Sequence, residues 1–211
     1  TNFTAVNTST GVSAAGTEAD PSGNAMHAYA STPTISNVSL PASVLSTGTQ
    51  TVAKFSVASN GGTIGWKKVI FTASRAIGGT DTLSNTKVYD YDTNTEVAGT
   101  ATYTGSIEAD NCTSGTIIFV ATNEQQISGT KTYVLKTDIA GTLATGNNIN
   151  VNIAQPSSFV APAAYATVAA TSSSFTWTDT SASGHDETTL DWNNGYVVKN
   201  LPTDTQTLIF N

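Results

Sequence analysis

Thr51-Val-Ala-Lys-Phe-Ser-Val-Ala-Ser-Asn60-Gly-Gly-Thr-Ile-Gly-Trp66-Lys-Lys-Val-Ile70-Phe-Thr-Ala73 is the stretch from which the fold is read. In its first half Ala53, Phe55 and Val57 fall on one face of an extended chain, and Val52, Lys54 and Ser56 on the other. Successive side chains of a strand point to opposite faces, so this alternation predicts a strand with one side on a core and the other in water. Asn60-Gly61-Gly62 is a strong turn signal and predicts a hairpin. The second half, Ile64 to Ala73, carries Trp66, Val69, Ile70 and Phe71 and is apolar on both faces, as expected of a central strand.

The same texture extends in both directions. Thr34 to Leu40, Leu83 to Tyr91, Ala98 to Thr104, Gly115 to Thr122, Ile127 to Ile139 and Asn148 to Ile153 are short runs rich in β-branched and aromatic residues, each bounded by Gly, Pro, Asn or Asp. About eight strands and no helical period over any window predict an all-β fold, an antiparallel immunoglobulin-like β sandwich. Three parts are expected: an extended N-terminal arm over 1–31 with a turn at Asp20-Pro21-Ser22-Gly23, the sandwich over 32–154, and a C-terminal linker and β hairpin over 155–211. In the last part Gln155 to Ala170 reads as linker, Phe175 and Trp177 as a short strand, and Tyr196 to Val198 as a return to β structure. That hairpin packs on the sandwich or on a neighbouring subunit, with Trp66, Phe175, Trp177 and Trp192 as packing anchors.

Composition bounds the function. The 211 residues hold 15 acids against 8 basic side chains, a net charge of -7, with no basic run longer than Lys67-Lys68. Such a chain cannot neutralise a row of phosphates, so nucleic-acid binding is excluded. Only 11% of residues are charged, against about 25% in an ordinary soluble domain, and polarity comes instead from 60 Ser and Thr. This nonionic, hydroxylated surface points to an extracellular, cell-surface setting. No apolar run is long enough for a transmembrane helix, and the chain opens at Thr1 without an initiator Met or signal peptide, as a mature chain or fragment does. Cys112 is the single cysteine, which rules out an intrachain disulfide and a cysteine-based metal site.

Three places invite chemistry. Asp90, Asp92, Asn94 and Glu96 present oxygens at alternate positions, a hard-ligand spacing that suits calcium, although a hairpin with its tip at Asp92 to Thr95 explains the same residues. Ser173 to Lys199 gathers the rare residues: Trp177, Trp192, His185 and the acids Asp186, Glu187 and Asp191, a candidate divalent-metal loop. No nucleophile elbow occurs, and neighbours on one loop do not make a triad, so the chain is not expected to be an enzyme. Trp66, Trp177 and Trp192 would support a carbohydrate-binding or adhesive module if their indoles were exposed and coplanar. The terminal strand Gln206 to Phe210 is apolar and must be paired or covered, within the subunit or by another copy.

The C-terminal run Phe175-Thr-Trp-Thr-Asp-Thr-Ser-Ala-Ser-Gly-His185, with Asp191-Trp192-Asn-Asn-Gly-Tyr-Val-Val and Leu201-Pro-Thr-Asp-Thr-Gln-Thr-Leu208, resembles the C-terminal module of large Thr/Ser-rich cell-surface proteins of candidate-phyla-radiation bacteria. Asp20-Pro21-Ser-Gly-Asn-Ala-Met26, Thr32-Pro33-Thr-Ile-Ser-Asn-Val38 and Ile127-Ser-Gly-Thr-Lys-Thr-Tyr-Val-Leu135 are similar to the immunoglobulin-like segment that precedes it. Asp186-Glu187 departs from the family's Ser/Thr-rich loop. The resemblance implies an S-layer or appendage protein. The expected function is self-assembly of identical copies into a lattice or extracellular filament by β-strand exchange. The candidate assembly residues are Phe3, Val6, Leu208, Ile209 and Phe210, and calcium is the one candidate cofactor.

Overall fold

The structure, a computed structural model, describes residues 3–6, 13–16, 26–76, 80–110, 112–171 and 173–211. It is all-β and antiparallel. Phe3–Val6 (β1) and Ser13–Gly16 (β2) pair with each other as a two-stranded sheet. A ten-stranded sheet contains Thr32–Asn37 (β3), Gly48–Ala76 (β4), Thr82–Asp90 (β5), Thr95–Glu96 (β6), Gly99–Thr104 (β7), Ser114–Ala140 (β8), Asn148–Ile153 (β9), Phe175–Thr178 (β10), Trp192–Asn193 (β11) and Gln206–Ile209 (β12). The side chains of Phe3 and Val6 and the turn expected at 20–23 lie outside the described residues.

The expected hairpin at Asn60-Gly61-Gly62 is not one. Residues 48–76 form a single strand, and both of its halves pair with β8, Ala58 opposite Thr130 and Thr63 opposite Ser128. Yet β4 is not straight. Phe55 and Phe71 would stand about 53 Å apart along an extended chain, but their ring centroids are 5.6 Å apart. The paired β4 and β8 therefore bend together at residues 59–62 and 129, and the two halves face each other as the layers of a sandwich. Strands that pass from one layer to the other through a bulge are a known way to turn such a corner. The expected pair of sheets is thus one hydrogen-bonded sheet folded over on itself.

The bend explains the glycines. Gly61 has φ +121°, and a Cβ there would lie 2.7 Å from the carbonyl oxygen of Ala30. The Ser59 hydroxyl accepts from Gly129 N–H (2.9 Å) and donates to its carbonyl (3.3 Å), so the bulge keeps its hydrogen bonds. Asn60 ties the corner to β3 through Thr32 O (2.9 Å) and Thr34 Oγ1 (2.8 Å).

One layer holds β3, the first half of β4, the second half of β8, β5 and β6; the other holds β12, β9, β10, β11, the second half of β4, the first half of β8 and β7. The core between them is aromatic: Trp66 meets Tyr133 edge to face at 5.2 Å, Phe55 stacks on Tyr133 at 5.7 Å, and Trp66 lies 5.9 Å from Phe175. Trp66, Phe175, Trp177 and Trp192 are all fully buried. Each such side chain contributes about 1.5–3 kcal/mol or more by leaving water.

The C-terminal segment belongs to the same sheet. β10 pairs with β4, Phe175 opposite Val69, and β12 pairs with β9, Leu208 opposite Ile149. On its other edge Ile209 donates to Ser43 O (2.9 Å) and accepts from Leu45 N–H (2.8 Å). The terminal strand, a candidate for exchange, is therefore held on both edges within its own chain; Leu208 is buried, Ile209 is exposed and Phe210 rests against the core. The linker read at 155–170 contains a short helix, Tyr165–Ala169 (α1), and Gly195–Val197 is a 3-10 turn rather than strand.

Candidate functional site

Residues 179–191, between β10 and β11, form a loop that the sandwich fastens from below, and a second bulge makes this possible. Trp66 pairs with Gln125 but Lys68 pairs with Val120, so four residues of β8, Ala121 to Glu124, stand opposite Lys67. The bulge puts Lys67 and Glu124 under the loop. Glu124 lies against the backbone of Gly65, where a Cβ would fall 1.7 Å from its Oε1, so a side chain at 65 would push the Glu124 carboxylate aside.

Lys67 Nζ forms an ion pair with Glu187. His185 bridges two carboxylates: Nε2 is 2.9 Å from Glu124 Oε2, and Nδ1 is 2.8 Å from Asp191 Oδ2. A neutral imidazole has one N–H and cannot donate at both ends, so this geometry suits the imidazolium. Burial by itself pushes the His185 pKa down, but the hydrogen bonds and charges of Glu124 and Asp191 outweigh it and hold the value above the ordinary 6.5. Burial likewise opposes ionisation of Asp191. Donors from Thr189, Thr178 and Ala182 and the His185 charge nevertheless keep its pKa below the usual 3.8. The imidazole lies 5.5 Å from the Trp192 ring, whose Nε1 donates to Asp186 O at 2.8 Å. Trp177 Nε1 donates to Asn194 O at 3.0 Å.

Both ring nitrogens of His185 are thus engaged, and the acids beside it are spent on local partners: Asp186 accepts from Thr188 N–H (2.6 Å) and hydroxyl (2.7 Å), and Glu187 holds Lys67. The loop read as a metal candidate works as a fastener. Among the described residues no group of three or more His, Cys, Asp and Glu side chains converges as metal ligands do.

The calcium candidate residues also have partners within the chain. Asp90, Asp92, Asn94 and Glu96 lie on the β5–β6 hairpin. Asp90 Oδ1 accepts from Asp92 N–H (3.0 Å) and Thr93 N–H (3.1 Å), Asn94 Oδ1 from Lys136 (3.3 Å), and Glu96 pairs with Lys87 at 2.8 Å. Turn amides and lysines thus engage three of the four side chains, Asp90, Asn94 and Glu96. The sugar-platform reading required exposed indoles, and all three are buried.

A cluster at the opposite end carried no motif. Arg75 is buried, donates to Ile107 O (2.9 Å), Ala109 O (3.0 Å) and Asp81 O (2.6 Å), and pairs with the Asp81 carboxylate. Asn147 reaches Asp81 Oδ1 at 3.2 Å. Two loops are joined at the guanidinium, and Asp81 links a third through Asn147. The signal in the sequence was that this is the chain's one arginine.

At the N-terminal approach to the sandwich, Ala30 N–H donates to Asp179 Oδ2 (2.8 Å) and the Tyr29 ring lies 5.4 Å from Trp177. Within the described residues no helix is long and apolar enough to cross a membrane. No family model matches the chain, and neither the curated proteins nor the solved structures contain a match to it.

Proposed function

We propose that the protein is a structural, non-catalytic module of the cell exterior whose copies assemble into a lattice or filament by adding strands to one another. The N-terminal hairpin carries this reading. Strands β1 and β2 pair with each other and, among the described residues, with no third strand. A two-stranded hairpin is marginal in water and gains stability by joining a larger sheet. Residues 1–17 contain no charged side chain, so nothing in them opposes such pairing by charge.

The hydroxyl-rich surface, poor in ions, supports the extracellular setting and lets copies approach without strong repulsion. The resemblance to surface proteins of candidate-phyla-radiation bacteria agrees with it. Because β12 is occupied on both edges within its chain, the proposed donor is the N-terminal hairpin rather than residues 206–210. Contacts of this head-to-tail kind propagate unless they close into a ring. Negative-stain microscopy of the purified full chain tests the proposal: fibres or sheets are the expected result, and a field of dispersed small particles at every concentration overturns it.

A further inference from the structure

We propose that the outer edge of β7 is the receptor for the N-terminal hairpin of a second copy of this chain; the inference rests on the self-assembly reading and names its acceptor. β7 pairs with β8 on one side, Ala101 opposite Phe119 and Tyr103 opposite Ile117, and among the described residues no strand pairs with it on the other. The register fixes which groups are free. Thr122 N–H donates to Ala98 O, so alternate residues Thr100, Thr102 and Thr104 face β8. The N–H and C=O of Gly99, Ala101 and Tyr103 point the other way.

Among the described residues the other edges of the sandwich are closed. β3 carries Pro33 and is bridged by Lys199, β12 is held by residues 43–45, β6 and β11 are two residues long, and β5 is covered where Leu83 and Val88 bond Glu108 and Val97. Edge strands are normally guarded by charge, proline, a bulge or short length. β7 has none of these: its register is unbroken over six residues, and no charged residue occurs from Val97 to Ile107. Tyr103 turns inward instead, its hydroxyl donating to Thr86 Oγ1 at 2.9 Å, which braces the edge against the facing layer.

A neutral, braced and unguarded edge matches a neutral hairpin that lacks a third strand. Tyr29 and Ala30 are docked on their own chain; the twelve residues before them, 17 to 28, span at most about 40 Å, a reach that extends towards a neighbouring molecule. Main-chain hydrogen bonds would supply the affinity and alternate side chains the register.

Sedimentation velocity of four full-length proteins tests this. Ala101→Pro removes an outward N–H without touching the β8 ladder, and Thr102→Lys sets a charge on the edge should proline disturb folding. Ala5→Pro breaks the donor hairpin. Wild type is expected to form large species and each variant to sediment as a single chain with an unchanged melt. Mixing Thr102→Lys, which keeps the donor, with Ala5→Pro, which keeps the acceptor, should give a 1:1 dimer of about 43 kDa, twice the 21.7 kDa chain. If wild type assembles and both edge variants assemble equally well, or if the mixture stays at one chain, the β7 assignment is wrong while self-assembly stands. A wild type that never exceeds one chain removes both.

Discussion

Replacing Arg75 by methionine should be among the most damaging changes available in this protein. The guanidinium and the Asp81 carboxylate are almost wholly removed from water, with side-chain exposures of 1% and 5%. Methionine keeps much of the stem's volume, so packing is largely preserved. What is lost is the partner of a buried carboxylate and the donors to Ile107 O, Ala109 O and Asp81 O. Breaking one side of a buried ion pair costs about 3–5 kcal/mol. At about 2–4 °C per kcal/mol for a chain of this size, the melting temperature should fall by about 6–20 °C. Calorimetry at neutral pH reads this directly. The double variant Arg75→Met with Asp81→Leu should recover part of the loss, because no unpaired charge remains inside. A single variant that melts within about 2 °C of wild type would refute the reasoning, since that is under about 1 kcal/mol.

Two further perturbations test the bend and the fastener. Gly61→Ala should cost about 1–3 kcal/mol through its positive φ and its 2.7 Å approach to Ala30 O; Gly62→Ala, whose nearest neighbour would be 3.9 Å away, should be close to neutral in the same denaturant titration. Equal effects would place the corner elsewhere. For His185, the folded pKa lies above the unfolded 6.5, so its stabilisation is complete below about pH 6.5 and fades as pH rises through the folded value. Asp191, held below 3.8, stabilises above that pH and loses its contribution as pH falls through its lowered folded value. The melting difference between wild type and His185→Gln should therefore be greatest in mild acid and shrink in alkali, and a pH-independent difference would contradict the imidazolium bridge.

The strands were legible wherever alternation was clean. Asn148 to Ile153 shows buried Ile149, Val151 and Ile153 against half-exposed asparagines, as its pattern predicts. What sequence could not supply was the partner. Glycine with positive φ is needed at a hairpin tip and at a bent bulge alike, and only β8, about 70 residues on, decides that Asn60-Gly61-Gly62 is the second. The polar Asn123-Glu124-Gln125 run read as a gap between strands for the same reason, yet Asn123 and Glu124 belong to a bulge inside one 27-residue strand and Gln125 pairs with Trp66. Helix α1 has five residues, too few to show a helical period. In the 179–191 loop the rare residues marked the right place and suggested the wrong chemistry. Their counterparts Glu124 and Lys67 lie 61 and 120 residues away, so the loop's acids looked free when they were engaged.

The most direct test of the central claim is light scattering on size-exclusion fractions of the full chain beside a version lacking residues 1–25. The full chain is expected to elute well above 21.7 kDa, and the shortened chain, folded and melting normally, to have the mass of one molecule. Equal states of association in the two would contradict it.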